Sequence, residues 1–357
     1  MLTNTPKISV VIPVFNREEL INSTLESVLL QSFQEWECII VDDYSTDNTV
    51  ETLKKWAEKD KRFKFFAKTN EKKGAPSSRN IGWKNANSDL IIFLDSDDLL
   101  APWALEKRMA FMEENVNLDF SLSPPLEFNN NNNNKYNYRA LIYKENPLKL
   151  FLEFNAAWQT SSPTWKMKAL KDIGGWDEDA LSWQDGEIHI RALLKKMRYK
   201  WMSKIPDVFI RISGNSKISN TFTNEKLKNN YVIFNKILNH IDFKKDLKEI
   251  FKTNITIRTF NLIENLSINE KKELIEFLQR NKEFNFINIK KLKFYNFIFE
   301  ITKNIKGLRG ILYKVRIKSS YFPKRKKFFK KDKISSEVLK DVRSRIKNIP
   351  LYKEVFI

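Results

Sequence analysis

The run Leu90-Ile91-Ile92-Phe93-Leu94 ends in Asp95-Ser96-Asp97-Asp98. Five consecutive apolar residues, rich in β-branched and aromatic types, predict a strand buried on both faces. A strand of that kind belongs to a mostly parallel sheet covered by helices. The three carboxylates fall where the strand leaves the sheet, and open α/β sheets bind ligands outside the carboxyl ends of their strands. Carboxylates at that edge suit Mg²⁺ or Mn²⁺ carrying a phosphorylated substrate, because hard cations prefer oxygen ligands. The plainer alternative is an Asp-rich turn capping a helix that begins near Ala101.

The segments before this strand repeat the same alternation. Lys7 to Pro13 is a first strand, with a turn at Phe15-Asn16 and a helix over residues 17–31. Trp36 to Val41 is a second strand, closed by Asp42-Asp43-Tyr44-Ser45. Ser45 or Asp47 then caps a helix that turns Val50, Leu53 and Trp56 inward. Arg62 to Ala67 is a third strand, and Gly74 to Asn80 opens a third helix with Pro76 in its first turn. Strand and helix alternate, so three strand ends should meet at one edge: Pro13–Asn16, Asp42–Asp43 and Asp95–Asp98. Further on, Ala101–Asn115 predicts a helix and Leu118–Leu122 a strand, and Pro124-Pro125 interrupts the pattern. Asn129–Asn134 is an Asn tract with the composition of a surface loop. Pro147–Phe154 and Ile188–Met197 predict helices; Tyr199–Met202 and Asp207–Arg211 predict short strands.

Charge divides the chain. Residues 1–220 carry 30 Lys and Arg against 30 Asp and Glu, so the whole net charge of +19 lies in 221–357. That second region shows helical spacing over Tyr231–Ile241, Leu247–Phe260 and Glu270–Leu278, with Lys-rich outer faces. Its densest charge is Lys324 to Lys331, beside Phe322, Phe328 and Phe329. Basic residues interleaved with bulky apolar ones suit an anionic membrane surface. Nucleic acid is disfavoured as a partner, since no recognised binding module accompanies the charge. The lone Cys38 sits in an apolar run, excludes an internal disulfide, and fits a cytoplasmic protein. No run is long and apolar enough to span a membrane and no signal peptide is evident, which predicts a peripheral location at the inner membrane face.

Six stretches of the first 220 residues, in order, resemble family 2 glycosyltransferases, inverting sugar transferases of the GT-A fold. Val10 to Arg17 resembles the opening strand and its nucleotide-contacting turn. Val41 to Asp47 resembles the second nucleotide element. Gly74 through Gly82 resembles the segment whose Arg faces the diphosphate, here Arg79. Asp95-Ser96-Asp97-Asp98 resembles the metal-binding Asp-x-Asp. Gly174-Gly175-Trp176-Asp177-Glu178 resembles the acceptor-side turn, and Gln184-Asp185 stands where the family has Glu-Asp, whose Asp is the base. The resemblance implies a GT-A catalytic domain over residues 1–220, followed by a helical basic region over 221–357. It implies a nucleotide-sugar donor, here taken as a UDP-sugar, held by Pro13, Phe15, Asn16, Asp42, Asp43, Arg79, Asp95 and Ser96. Asp97 and Asp95 would hold the divalent cation, Mn²⁺ or Mg²⁺. Gly175, Trp176, Asp177 and Trp183 would face a glycan or lipid-linked acceptor of surface-polysaccharide synthesis, with Asp185 as the base.

These roles also make chemical sense residue by residue. Phe15 can pack against a nucleobase and Asp43 can accept from an imide N–H. Arg79 can grip a phosphate with two N–H groups. Inverting displacement at an anomeric carbon needs one base on the acceptor side, and Asp185 can serve; it can also cap the helix that follows. Trp176 and Trp183 can stack on sugars or fill a core.

Two positions depart from the family. Gln184 replaces the usual Glu, and no His follows Arg211 as a further metal ligand; Ser213 stands near that place, while His189 and His240 lie elsewhere. Both departures favour a second reading, a catalytically degenerate sugar-nucleotide or glycan-binding scaffold. A sugar-nucleotide pyrophosphorylase is disfavoured, because Pro13-Val14-Phe15-Asn16-Arg17 is not a Gly-rich phosphate loop.

Overall fold

The computed structural model describes residues 5–69, 71–128, 136–138, 146–212, 224–241, 244–264, 266–302 and 334–355. The Asn tract, Ser213 and the Lys324–Lys331 cluster lie outside the described residues.

The buried apolar runs form β1 (Ile8–Val14), β2 (Trp36–Asp42), β3 (Phe63–Ala67) and β4 (Leu90–Phe93). β1 pairs in parallel with β2 and β4, and β2 with β3. Alternate side chains enter different cores. Val10, Ile12, Cys38, Ile40 and Ile92 pack with Leu25, Val28, Leu53 and Met109. Val11, Ile39, Val41, Ile91 and Phe93 pack with Trp83, Leu170 and Ile188 on the other face. The helices α1 (Ile21–Leu29), α2 (Thr49–Lys59), α3 (Ala75–Lys84) and α4 (Ala104–Glu114) connect or follow these strands. Gly82 is required where α3 crosses β1: a Cβ there would lie 2.2 Å from Val11 Cγ1.

The sheet has seven strands in the order β10-β6-β9-β4-β1-β2-β3, with β6 (Phe120–Leu122), β9 (Pro163–Lys166) and β10 (Tyr199–Trp201) added beyond β4. β9 runs antiparallel to both neighbours. A second sheet, β5-β11-β7-β8, was not foreseen in the sequence. It combines β5 (Leu99–Leu100), β7 (Pro125–Phe128), β8 (Asn137–Tyr138) and β11 (Val208–Arg211). Pro125 opens β7 rather than breaking the chain's strand pattern, because the first position of a strand tolerates a missing N–H. β5 follows Asp98 directly and pairs with β11, which brings Arg211 to the acidic cluster.

α1 begins at Ile21, not near residue 17. The backbone N–H groups of Asn16, Arg17 and Glu18 are instead taken by Ser45 Oγ, Thr49 Oγ1 and Asp47 Oδ2, at 2.9, 2.8 and 3.3 Å. The turns after β1 and β2 are thereby stitched together.

Beyond β9 come α6 (Met167–Ile173) and α7 (Gln184–Leu194); α5 (Pro147–Leu152) precedes that strand. The second region contributes α8 (Asn224–His240), α9 (Lys245–Ile263), α10 (Ile268–Arg280), α11 (Ile289–Thr302) and α12 (Ser336–Ile346). α8 and α9 pack on the first region through Phe234 and Phe251, whose rings lie 5.1 and 5.7 Å from Phe154. The last residues also return to the first region: Val342, Ile346, Tyr352 and Val355 share a core with Leu99, Trp103, Phe128 and Phe209. Tyr352 Oη donates to the Leu100 carbonyl at 2.5 Å.

Arg108 on α4 makes a bidentate pair with Asp207, both contacts 2.8 Å and both side chains buried. It also donates to the Ser161 carbonyl. Removing the cation strands a buried carboxylate, so Arg108→Ala should destabilise the fold by ~3–5 kcal/mol. Denaturant unfolding of the variant measures this; a change below ~1 kcal/mol would contradict it.

Candidate active site

Parallel register places the ends of β1, β2 and β4 side by side. Val14 lies opposite Asp42, and the Leu94 N–H donates to the Val11 carbonyl. The Pro13–Asn16 turn, Asp42–Asp43 and Asp95–Asp98 thus meet at one edge, as the sequence implied. Pro13 is buried within β1. Asn16 adopts φ 49°, and its Oδ1 accepts from the Thr46 N–H at 2.8 Å. Asp42 accepts from the Ser45 N–H at 3.1 Å, while its Oδ1 is buried with no hydrogen-bond partner among the described residues. Asp43 accepts from the Gly74 N–H and pairs with buried Lys68 at 2.8 Å, so it fixes the entrance to α3. Phe15 is half-buried with the Lys73 ammonium over its ring at 4.5 Å, an arrangement that leaves an aromatic beside a cation at the site's rim.

Arg79 is the hinge of the site. Its guanidinium donates to Asp95 Oδ1 at 2.8 Å and to Gln184 Oε1 at 3.0 Å. The same group lies over the Trp176 ring at 4.5 Å, and its Nε is buried with no hydrogen-bond partner among the described residues. One side chain of α3 therefore joins the end of β4 to the start of α7. Gln184 keeps the hydrogen bond that a Glu would make and leaves the cation's charge less neutralised.

Around the acidic cluster, Arg17 stands 3.7 Å from Asp97, and the Arg211 N–H donates to buried Asp98 at 3.1 Å. Arg211 Nε also donates to the Asp97 carbonyl at 3.2 Å. Ser96 is buried and its carbonyl accepts from Thr24 Oγ1. Burial raises the carboxyl of Asp97, and the neighbouring Asp95 raises it further. Burial, then Asp97 and Asp95, push Asp98 well above the usual carboxylate range. Among the described residues no three His, Cys, Asp or Glu side chains gather in a cage for a metal. What fits is a cation brought with a diphosphate: Asp97 remains partly exposed, and its nearest partner, Arg17, is beyond direct hydrogen-bonding distance.

Asp185 sits in the first turn of α7, following Trp183 at φ 56°. Its Oδ1 accepts from the Gly186 N–H at 2.8 Å. Burial raises its carboxyl above the ordinary value, with Arg79 opposing and Asp95 adding to the effect. Asp185 thus feels the charges of Arg79 and Asp95, which bond to each other at the end of β4. Glu187, two residues on, is buried and held by Arg191 at 2.5 and 2.8 Å.

The acceptor-side expectations fare differently. Trp176 is 3% exposed, edge-on to Phe93 at 5.1 Å and covered by Arg79, so its ring supports the site from below and cannot stack on a sugar. Trp183 is half-buried and packs on Phe154 and Phe234. Asp177 accepts from Lys236 of α8 at 2.8 Å. Gly175 adopts φ 69°, and a Cβ there would meet Asn80 Oδ1 at 2.6 Å. Asn80, whose part the sequence did not reveal, bonds the Trp176 N–H and carbonyl at 2.9 Å each and Glu178 at 2.7 Å. It fastens the Gly-Gly-Trp turn to α3. His189 is buried against Phe151, Trp158 and Trp165, and burial pushes its imidazole down to about 3, so it is a neutral core residue.

Residues 9–172 match the family model described as Glycosyl transferase family 2. An uncharacterized glycosyltransferase of Haemophilus influenzae is 46% identical over 113 residues, which is 31% of this chain and 44% of that protein. The GalNAc(5)-diNAcBac-PP-undecaprenol beta-1,3-glucosyltransferase of Campylobacter jejuni is 36% identical over 104 residues, 29% of this chain and 34% of that protein. The chain spans less than half the length of each of these relatives. The crystal structure of S. aureus TarS 1-349 in complex with UDP-GlcNAc superposes with a TM-score of 0.63 at 21% identity, covering 87% of this chain and 92% of that one. That likeness is one of fold.

Proposed function

We propose, from the match of residues 9–172 to the Glycosyl transferase family 2 model and from the TarS-like fold, that the protein is an inverting, metal-dependent transferase of that family with a GT-A fold. It moves a sugar from a UDP-sugar to a glycan or lipid-linked acceptor in surface-polysaccharide synthesis. The observation that carries this reading is the Arg79 bridge, which ties the donor-side Asp95 to the helix bearing Asp185. The named glucosyltransferase relative and the UDP-GlcNAc complex of TarS support the choice of acceptor class and nucleotide.

In this reading the nucleoside lies along Phe15, Asn16, Asp42 and Asp43, and Arg79 and Arg17 face the diphosphate. Asp97, with Asp95, would hold Mn²⁺ or Mg²⁺, and the bound cation would supply positive charge to offset that of the leaving diphosphate. Asp185 takes the proton of the acceptor hydroxyl as it attacks from the opposite face of the sugar. The basic region beyond residue 220 holds the enzyme at an anionic membrane surface, near lipid-linked acceptors. Among the described residues no helix is long and apolar enough to cross a membrane.

Calorimetric titration with UDP, GDP and CMP tests the donor site. UDP is expected to bind at least ~10-fold more tightly with Mn²⁺ than with chelator, since the cation links diphosphate to carboxylate. UDP binding that is absent, or indifferent to the cation, would contradict the site.

A further inference from the structure

α11 turns an apolar stripe away from the protein. Phe294, Phe297 and Ile301 are 59%, 60% and 53% exposed. Their spacing puts them on one face, and Lys290 continues that face toward the helix start. Lys291 and Lys293 flank it, both exposed. The opposite face is buried through Leu292 and Tyr295, so the stripe is left over after the helix has packed. The one carboxylate in α11, Glu300, bonds to Lys271 of α10. Three bulky apolar residues with three ammonium groups and no unpaired acid form the pattern of a helix lying in a lipid headgroup layer.

We propose that this face of α11 docks on an anionic lipid surface, with Phe294, Phe297 and Ile301 entering the headgroup–acyl boundary. The inference deepens the membrane-surface reading above and gives it a defined site within the described structure. Charge favours lipid over a second copy of the chain. An isologous contact would bring Lys290, Lys291 and Lys293 against their own images in a protein of net charge +19. Three side chains also offer far less area than the ~800 Å² per partner of a stable dimer. The sequence immediately after α11 points the same way: residues 303–333 contain 13 Lys and Arg and a single acidic residue. One weak anchor seldom suffices, and a stripe joined to a basic segment supplies two.

The test is co-sedimentation with vesicles of phosphatidylserine and phosphatidylcholine, compared with phosphatidylcholine alone. Wild type is expected to partition at least ~10-fold more strongly onto the anionic vesicles and to be largely released by ~0.5 M salt. A variant carrying F294S, F297S and I301S keeps every charge and should lose at least ~10-fold in partitioning. Replacing Lys324, Arg325, Lys326, Lys327, Lys330 and Lys331 with Gln tests the basic segment separately. If that variant loses binding and the stripe variant does not, the stripe is overturned while the membrane reading stands. As a check independent of the triple variant's folding, Phe294→Cys carrying an environment-sensitive dye should shift blue on anionic vesicles, Cys38 being buried. No shift, or a stripe-dependent dimer in sedimentation velocity without lipid, would overturn the proposal. Nucleotide release from the donor, read in parallel, reports on the transferase reading and is expected to be equal in wild type and stripe variant.

Discussion

Asp185→Asn is expected to slow sugar transfer at least ~10²-fold with UDP affinity within about twofold of wild type. The amide keeps the residue's size and can still accept from the Gly186 N–H, so the start of α7 should be undisturbed. What it loses is the ability to take a proton. Burial, chiefly, holds the Asp185 carboxyl above its ordinary value. A base must be deprotonated to act, so the wild-type rate should be low in acid and rise with pH through that raised value. In the Asn variant this limb should vanish. A variant that transfers near the wild-type rate with the limb intact would move the base elsewhere. Glu187 is poorly placed to replace it, because Arg191 already occupies both of its oxygens.

Asp97→Ala should reduce turnover beyond detection and remove the stimulation of UDP binding by Mn²⁺. Asp97 is partly exposed with Arg17 at 3.7 Å, whereas Asp95 gives its Oδ1 to Arg79 and buried Asp98 accepts from the Arg211 N–H. The variant also loses a partly exposed carboxylate that stands among like charges, so the apo protein should be no less stable, and its unfolding midpoint separates a site defect from a folding defect. Full turnover in Asp97→Ala, or in wild type with excess chelator, would remove the cation from the mechanism.

The edge where β1, β2 and β4 end, proposed above as the donor side, was legible in the sequence because its determinants are local. An apolar run of β-branched residues fixes a buried strand, and the polar residues at its end fall at the sheet edge whatever the rest of the chain does. Asp42, Arg79 and Asp95 could therefore be placed from their positions relative to strands and helix starts. The surroundings of the Gly174–Glu178 turn depended on side-chain direction, which spacing does not reveal. Trp176 follows a Gly-Gly turn whose left-handed backbone carries the indole under Arg79, and only the packing against Phe93 shows it. Asn80 is adjacent to Arg79, but its role lies in contacts 96 to 98 residues away. The second sheet was missed because its strands are two to four residues long and β11 pairs with β5 and β7 across more than 80 residues of sequence. The return of Tyr352 to Leu100 spans 252 residues and leaves no periodic trace.

Incubating the purified protein with a panel of UDP-, GDP- and CMP-sugars, and following nucleotide release with and without Mn²⁺, addresses the transferase reading most directly. The expected result is cation-dependent release of UDP from one or a few UDP-sugars, lost in Asp97→Ala and at least ~10²-fold slower in Asp185→Asn. Tight UDP binding with no release from any donor, across acceptor-containing membrane extracts as well, would contradict it and identify the chain as a sugar-nucleotide-binding protein that retains the fold without the reaction.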